Sequence, residues 1–494
     1  MIDGLLLISP EVAFYAVLGV FVSTIVVIIP GLGGTFALAI FLPFIFRLDP
    51  ATGIAFMLAI TAVNGTGNTI TSVLFGVPGS ASGVASTFDG YPLTQRGEGI
   101  RAVAAGLTSS AIGGVIGAVV LALCLPFLRP IVLNFRPPEF FALILMAMIL
   151  MSFIAGIDKL KALISGGLGL MLAFVGMERS TGTQRYTFGE LYLWDGLHLV
   201  PVLLGLYAVT EMIGLMRRGG AIAQRVPQEG PVSQLASGIM AALRHWKAVL
   251  QSSAAGLWVG LAPGLGDSAA QFIAYTQVAR TSKNRANFGK GEIEGVVAAD
   301  AATNSKDGGA LIPTLAFGIP GSSSMAIIIA GFIALGLQPG PAMLTEHIDL
   351  VWMIIWILVF ANVVAALLCL GITPFMAKIT SLRASLIVPP ILIASMFGAY
   401  SASNNYFDIV VLLVFGFIGL MLKEFGYSRP IFLIGFVLGG LLEQNYLLSV
   451  SLFGVAFLSR PIVLIIFGVL VLIVIGPMIS SVRKSGRRQQ PAGS

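Results

Sequence analysis

The chain has 494 residues, of which 57% are hydrophobic and only 10% charged, with a formal net charge of +6 and a mean hydropathy of +0.96. A soluble domain carries about 25% charged residues, so the composition excludes an ordinary water-soluble protein and points into lipid. The positive balance does not point to nucleic acid, because the basic residues sit in loops between apolar runs and in a tail with Arg483, Lys484, Arg487 and Arg488, which is a topology signal.

In chain order, the first ten residues lack a basic segment and no cleavage site of small residues closes the first apolar run. Residues 14–29 are therefore expected to remain as a transmembrane helix. Further apolar runs at 140–155, 351–372, 409–422 and 462–479 approach the roughly 20 residues that span the hydrocarbon core, and about a dozen spans or half-spans are expected in all. Cys124 and Cys369 both fall inside apolar runs and read as small buried hydrophobes, not as a disulfide or metal pair.

The first run ends in Pro30-Gly31-Leu32-Gly33-Gly34, and this loop is written again as Pro263-Gly264-Leu265-Gly266-Asp267. Downstream of each comes a partner: Phe75-Gly76-Val77-Pro78-Gly79-Ser80 in the first case and Phe317-Gly318-Ile319-Pro320-Gly321-Ser322 in the second. The offsets, 233 and 242 residues, fit two halves that diverged with one short insertion. Weaker echoes are Pro126-Phe127 with Pro374-Phe375 and Pro137-Pro138 with Pro389-Pro390. The expected organisation is a first membrane repeat at 1–216, a cytoplasmic connection at 217–245, a second repeat with a terminal helix at 246–482, and a basic cytoplasmic tail at 483–494. Within the connection Leu235, Ile239, Leu243 and Trp246 recur at helical spacing, which suits a helix lying on the membrane surface.

Equivalent loops of the two halves differ in charge. Arg280, Lys283, Arg285 and Lys290 follow the second glycine loop, against Arg47 alone after the first; Arg96 and Arg101 follow the first Pro-Gly-Ser turn, whereas 337–350 has no Lys or Arg. The basic side switches between copies, as inverted-topology repeats predict.

The chemistry is expected at the breaks. Proline and glycine end a helix, and unwound backbone at membrane depth survives only where it is buried in protein or lines a wet cavity. Freed carbonyls at Gly31, Gly33, Gly34, Gly264 and Gly266, with Asn64 and Asp267, form the expected cation site; Na⁺ is the candidate metal and no transition metal is expected. Asp267 could also cap the helix starting at Ser268. Each Pro-Gly-Ser turn sits between apolar segments read as short, the pattern of a re-entrant hairpin. The helix after such a tip presents orphan N–H groups and hydroxyls to an anion. The expected substrate site is accordingly Asn68, Pro78, Gly79, Ser80, Asn304, Pro320, Gly321, Ser322 and Ser323. Before the tips lie Asn64-Gly65-Thr66-Gly67-Asn68-Thr69 and 300–309, where Asn and Thr oxygens with freed carbonyls would suit Na⁺ and Asn amide hydrogens a substrate carboxylate. Lys306 there either neutralises substrate charge or pairs with Asp307. Enzyme readings fail, since His198, His245 and His347 lie far apart and no GxxxxGK[ST] loop exists; no cofactor is expected.

With these residues in view, the chain resembles the large membrane subunit of the tripartite tricarboxylate transporters, the TctA-type family. One block runs from Pro30-Gly31-Leu32-Gly33-Gly34 through Pro78-Gly79-Ser80 to Thr87-Phe88-Asp89-Gly90-Tyr91-Pro92-Leu93; the other runs from Pro263-Gly264-Leu265-Gly266 through Gly318-Ile319-Pro320-Gly321-Ser322 to Gly336-Leu337-Gln338-Pro339-Gly340-Pro341. The resemblance implies an all-α polytopic membrane protein of the inverted-repeat type, with broken helices, re-entrant hairpins, a scaffold and an elevator-like transport domain. It also implies a Na⁺- or H⁺-coupled importer of citrate or related carboxylates in the bacterial inner membrane. Its partners would be a periplasmic solute-binding protein and a small four-helix membrane subunit, with dimerisation left open. Where the family often has Glu-Ala-Ala-Asn-Asn this chain has Asp300-Ala301-Ala302-Thr303-Asn304, and where it often has Pro-Gly-Thr-Pro this chain has Pro78-Gly79-Ser80-Ala81. Substrate and stoichiometry are therefore open. A stand-alone anion symporter and a docking scaffold that moves nothing are the alternatives.

Overall fold

The computed structural model describes residues 2–29, 32–76, 80–154, 158–178, 182–218, 231–262, 266–376 and 384–472. Apart from one short hairpin these form helices and turns, as an all-α membrane protein should. The chain divides into two compact units, Met1–Val132 with Leu197–Phe425, and Leu133–Gly196 with Gly426–Ser494.

The larger unit opens with α1 (Ile2–Leu6) and α2 (Pro10–Val27). Ser9 caps α2 by accepting the Val12 amide at 3.2 Å, and Pro10 fills the first turn, where its missing N–H costs nothing. α3 (Gly34–Phe41) follows the break; Pro30 and Gly31 lie outside the described residues. Asp49 then caps α4 (Pro50–Phe75), which is buried continuously from Thr52 to Leu74 and ends on Gly76 with φ 65°. That left-handed position is one a glycine tolerates without Cβ strain. After the first tip come α5 (Val84–Gln95) and α6 (Gly99–Leu133).

The smaller unit takes α7 (Pro137–Ile154), α8 (Lys159–Ala173) and a hairpin pairing Gly176–Met177 with Gln184–Arg185. The chain returns to the larger unit through α9 (Leu199–Leu203), which runs by a π-turn into α10 (Thr210–Arg218). The central connection contains α11 (Pro231–Arg244), and His245 alone separates it from α12 (Trp246–Leu261). α11 packs through Gly238, Ala241 and Ala242 and leaves Val232, Met240, Leu243 and Trp246 exposed. Gln234 ties it to the start of α6, accepting the Arg101 amide and donating to Gly97 O.

α13 (Gly266–Thr281), α14 (Ile293–Phe317) and α15 (Ser323–Ala334) follow, with α14 ending on Gly318 at φ 67° and Ser322 capping α15. A short α16 (Pro341–Thr345) leads to α17 (Ile348–Met376), α18 (Ala384–Ser403) and α19 (Phe407–Glu424). The smaller unit closes with α20 (Arg429–Phe453), which packs on α7 and α8, and α21 (Pro461–Leu472), whose Val463 and Ile466 pack on Ala142. Two ion pairs staple that unit: Arg185 grips Glu443 at 2.5 and 2.9 Å, both half-buried, and Arg460 meets the buried Glu139 at 2.5 Å.

Among the described residues five helices are long and apolar enough to cross a membrane: Pro10–Val27, Gly99–Leu133, Leu199–Arg217, Ile348–Met376 and Arg429–Ser459. Large apolar side chains such as Phe14 and Phe21 on α2, Leu123 and Phe127 on α6, and Leu367 and Phe375 on α17 are exposed. In water such faces would be costly; in lipid they are the ordinary exterior.

Two expectations need correction. The segment before each tip is not short: α4 has 26 residues and α14 has 25, about 39 and 38 Å at 1.5 Å per residue. Only the arms after the tips, at 12 residues each, are too short to span. Likewise 64–69 and 300–309 are regular helix interior, so no carbonyls are freed there. Burial on every side supplies tertiary packing that overrides the weak helix propensity of Gly, Asn and Thr. The tail at 483–494 and much of the 217–245 connection lie outside the described residues.

Candidate functional site

The polar centre of the larger unit is built on α4 and α14, which carry Asn64, Thr66, Asn68, Thr69, Asp300, Thr303, Asn304, Lys306 and Asp307 in buried positions. At about 3.6 residues per turn, Ala62, Thr66 and Thr69 fall on one face of α4 and Asn64 and Asn68 on roughly the opposite one. The two faces serve different networks.

On the Asn64 face, Asn64 Oδ1 accepts the Gly34 amide at 2.9 Å, which fixes the first turn of α3 against α4. Asn68 Nδ2 lies 2.6 Å from Ser80 Oγ and 3.0 Å from Ser82 Oγ, and also 2.6 Å from Asn64 O. One amide nitrogen has only two hydrogens, so these acceptors share it. Ser80 and Ser82 hydroxyls meet at 2.6 Å. Gly33, Gly34, Asn64, Asn68 and Ser80 are thereby brought together, whereas Pro78 and Gly79 lie outside the described residues. Asn68 Oδ1 is buried with no hydrogen-bond partner.

On the other face Asn304 Nδ2 reaches Thr66 Oγ1 at 2.8 Å and Asn362 Oδ1 at 2.6 Å, and Asn362 donates to Leu358 O. Its Oδ1 is likewise buried without a partner. A Cβ at Gly65 would stand 1.9 Å from that oxygen, so the close approach of α4 and α14 requires glycine there. Asn304 thus does not join Asn68, although both were expected at one substrate site.

The second tip is described in full. Ser322 Oγ accepts the Met325 amide at 3.4 Å, so the hydroxyl serves first as an N-cap; Ser323 starts α15 and is half-buried. Pro320 and Gly321 are buried, and Gly321 packs against Gly260 O and Ala310, which puts this tip beside the end of α12. Gly264 lies outside the described residues. Gly266 and Asp267 open α13, so Asp267 is in the first turn and not ahead of it, where the helix dipole still favours an acid. Lys306 Nζ lies 2.9 Å from Asp307 Oδ1, with both side chains buried; of the two roles considered for Lys306, the structure places it in the local pair.

Several hydrogen bonds cross between the first set of segments and the second. Thr35 Oγ1 on α3 meets Ser324 Oγ on α15 at 3.2 Å, and Gln271 on α13 accepts the Ala85 amide at the start of α5 at 3.2 Å. Gln271 Nε2 also donates to Thr303 Oγ1 at 2.8 Å, and Ser86 Oγ donates to Asp300 Oδ1 at 2.7 Å. Asp89 accepts from Tyr275 OH and from the Gly291 and Glu292 amides, all at 2.8 Å. It pins α5 to α13 and to the entry of α14, and burial with that carboxylate partner pushes the Tyr275 phenol upward. Gln271, Asn362 and Ser82 were not singled out beforehand. Asn362 had a usable signal, a lone amide inside the apolar run 351–372, because polar groups at membrane depth are costly and kept for a reason.

Residues 13–434 match the family model described as the Tripartite tricarboxylate transporter TctA family. An "Uncharacterized 52.8 kDa protein in TAR-I ttuC' 3'region" of Agrobacterium vitis is 30% identical over 447 residues, 88% of this chain and 86% of the relative. An "Uncharacterized protein in TAR-II ttuC' 3'region" of the same organism is 33% identical over 231 residues, 46% of this chain and 96% of the relative. No solved structure matches the chain. The match spans most of the chain and both glycine loops with their Pro-Gly-Ser turns, and the chain belongs to the tripartite tricarboxylate transporter TctA family.

Proposed function

We propose that this membrane component of a tricarboxylate transporter is the large subunit of a cation-coupled importer of small carboxylates such as citrate. It works in the inner membrane with a periplasmic binding protein and a small membrane subunit. The observation that carries this reading is the meeting, around two fully buried helices, of the helices that follow both glycine breaks, the arms that follow both Pro-Gly-Ser turns, and acceptor oxygens without partners at Asn68 and Asn304. Buried acceptors left open cost about 1–3 kcal/mol each, a cost that a bound cation or a substrate donor removes.

Two inverted repeats are part of the proposal. The succession α2, α3, α4, tip, α5 is matched by α12, α13, α14, tip, α15, with left-handed glycines closing both long helices. The α3–α15 and α13–α5 contacts are reciprocal, the pattern expected of two halves facing each other about a pseudo-two-fold axis. In this reading carboxylates are received at Ser80, Ser322, Ser323 and the helix starts behind them, and a cation sits by Gly33, Gly34 and Asn64. A helix start contributes about 0.3–1 kcal/mol, up to about 2 when partly buried, against several kcal/mol to desolvate one carboxylate. With Lys306 already paired to Asp307, co-bound cations supply the remaining stabilisation.

The test is uptake of labelled citrate into proteoliposomes holding this chain and its small subunit, with and without binding protein, under Na⁺ or proton gradients. Uptake that requires the binding protein and one gradient is the expected result. Uptake without binding protein would make the chain a stand-alone symporter, and no uptake of any carboxylate by folded protein would leave a docking scaffold.

A further inference from the structure

Asp300 lies in α14 where α4, α5, α6 and α13 converge, and its side chain is 1% exposed. Oδ1 accepts a hydrogen bond from Ser86, and Oδ2 is buried without a well-formed one, the Thr69 side chain being a second, weaker donor beside the carboxyl. A Cβ on Gly106 of α6 would stand 2.2 Å from Oδ2 and 2.6 Å from the Thr69 methyl, so backbone closes over the open oxygen. Gln271 completes the wall, with Nε2 3.4 Å from Ser86 Oγ.

No cation neutralises this carboxyl among the described residues. α4 brings Thr69 and no titratable group; α5 brings Asp89, bonded to Tyr275 of α13, and Tyr91, which packs at Gly76. α6 has Arg101, bridged to Glu98, and Arg129 about six turns beyond Gly106. α13 has Arg280 in its last turn, and the Asp267 side chain is outside the described residues; α12, packed along α14, brings Lys247, which is exposed and lies over the Trp246 ring. On α14 itself Glu294 takes a hydrogen bond from Ser282, and Lys306 is paired with Asp307 more than a turn away.

An ionised carboxylate placed so would forfeit several kcal/mol of hydration for two hydroxyl contacts, Ser86 and the weaker Thr69, whereas the neutral acid loses far less. Na⁺ would need a shell of oxygens at Oδ2, and the Gly106 backbone leaves no space for one. A proton fits. The position is also tied to the first tip: Ser82, which meets Asn68 and Ser80, lies four residues, one helical turn, before Ser86.

We propose that Asp300 is a proton-binding site of this protein, occupied in the arrangement seen here and linked through Ser86 to the first Pro-Gly-Ser turn, so that H⁺ is a coupling ion of the importer. The coupling part rests on the transport reading above; the proton site does not. Displacing α5 withdraws the Ser86 hydroxyl and admits water, and the O–H bond of Asp300 then breaks with H⁺ passing to solvent and the electron pair staying on the carboxylate.

The experiment is infrared spectroscopy of the full chain in lipid nanodiscs at neutral pH, without substrate. Wild type minus Asp300→Asn is expected to show a carboxylic-acid C=O band that the variant lacks. Ser86→Ala should keep that band and move it to higher frequency, because the hydrogen bond to the carbonyl oxygen is gone. Absence of the difference band overturns the site, whatever uptake shows. In proteoliposomes Asp300→Asn should lose at least about tenfold of proton-gradient-driven citrate accumulation while retaining exchange of labelled for unlabelled citrate; accumulation at the wild-type level overturns the coupling. If wild type moves no citrate at all, the transport reading fails and the infrared result still decides the proton site.

Discussion

α4 and α14 hold matching places in the chain, have nearly the same length, and end on the same left-handed glycine, yet they solve the burial of polar groups differently. α4 carries only amides and hydroxyls; Asn64 is tied to the break at Gly34, Asn68 to Ser80 and Ser82 at the tip, and Thr66 to Asn304 of α14. α14 carries titratable groups: Asp300 under Ser86 and the Lys306–Asp307 pair. A neutral hydrogen bond is worth about 0.5–1.5 kcal/mol net, whereas a charged group in the same surroundings is costly unless paired or protonated. The comparison teaches that the two helices are not equal partners: α4 holds the serines of the first tip, and α14 holds the titratable and ionic groups.

The sharpest way to break that contrast is to remove one charge from α14. Lys306→Met leaves Asp307 without its counter-ion in a buried site, and a loss of about 3–5 kcal/mol is expected. Thermal unfolding in detergent reads it as a strongly lowered midpoint. The double variant Lys306→Met with Asp307→Leu should recover most of the loss; a single variant as stable as wild type would show that the pair carries no structural weight.

Next in size is the contact between the two helices. Gly65→Ala puts a methyl 1.9 Å from Asn304 Oδ1 and 2.7 Å from the Thr303 methyl. Overpacking of this kind costs about 1–3 kcal/mol, partly offset by the roughly 1 kcal/mol that alanine gains in a helix interior. A lowered unfolding midpoint is expected, and Gly371→Ala, inside α17 with open space around it and an ordinary helical backbone, is the control at a non-packed site. An unchanged midpoint for Gly65→Ala would mean that α4 and α14 do not pack as described.

The two faces of α4 offer a smaller, functional contrast. Asn68→Ala removes the amide shared by Ser80 and Ser82 and should raise the KM for citrate uptake about tenfold, equivalent to about 1.4 kcal/mol, with a modest change in unfolding. Asn362→Ala strips one acceptor from Asn304 and should act on stability, by about 1–3 kcal/mol, with KM little changed. The reverse pattern would move the substrate site to the Asn304 face.

Much of this arrangement is legible in the sequence. The breaks after α2 and α12 follow from Pro30 and Pro263 with their glycines, and a helix begins at Trp246 where the basic connection ends. The interior of α4 and α14 is not legible, because Asn-Gly-Thr-Gly-Asn has the composition of a loop and only burial on every side makes it helix. The separation of Asn68 from Asn304 is hidden for a related reason. Each stands before its own tip, but the face it occupies depends on helical phase, which a motif read as unwound does not possess.

The smallest expected effect tests whether α4 is entered as firmly as it is buried. Asp49 accepts the Thr52 amide at 3.1 Å. Burial alone would raise its carboxyl, but hydrogen bonds from Thr52 and Ala51 outweigh that and hold it below its ordinary value of 3.8. A carboxyl lowered by folding stabilises the folded state above its unfolded value, and that contribution fades as pH falls through the folded one. Asp49→Ala should therefore cost about 0.5–2 kcal/mol at neutral pH, the usual range for an N-cap, and the gap to wild type should narrow as pH drops below about 4. A gap that persists unchanged in acid would mean that the carboxylate does not act as the cap, and that α4 owes its start to Pro50 and to burial alone.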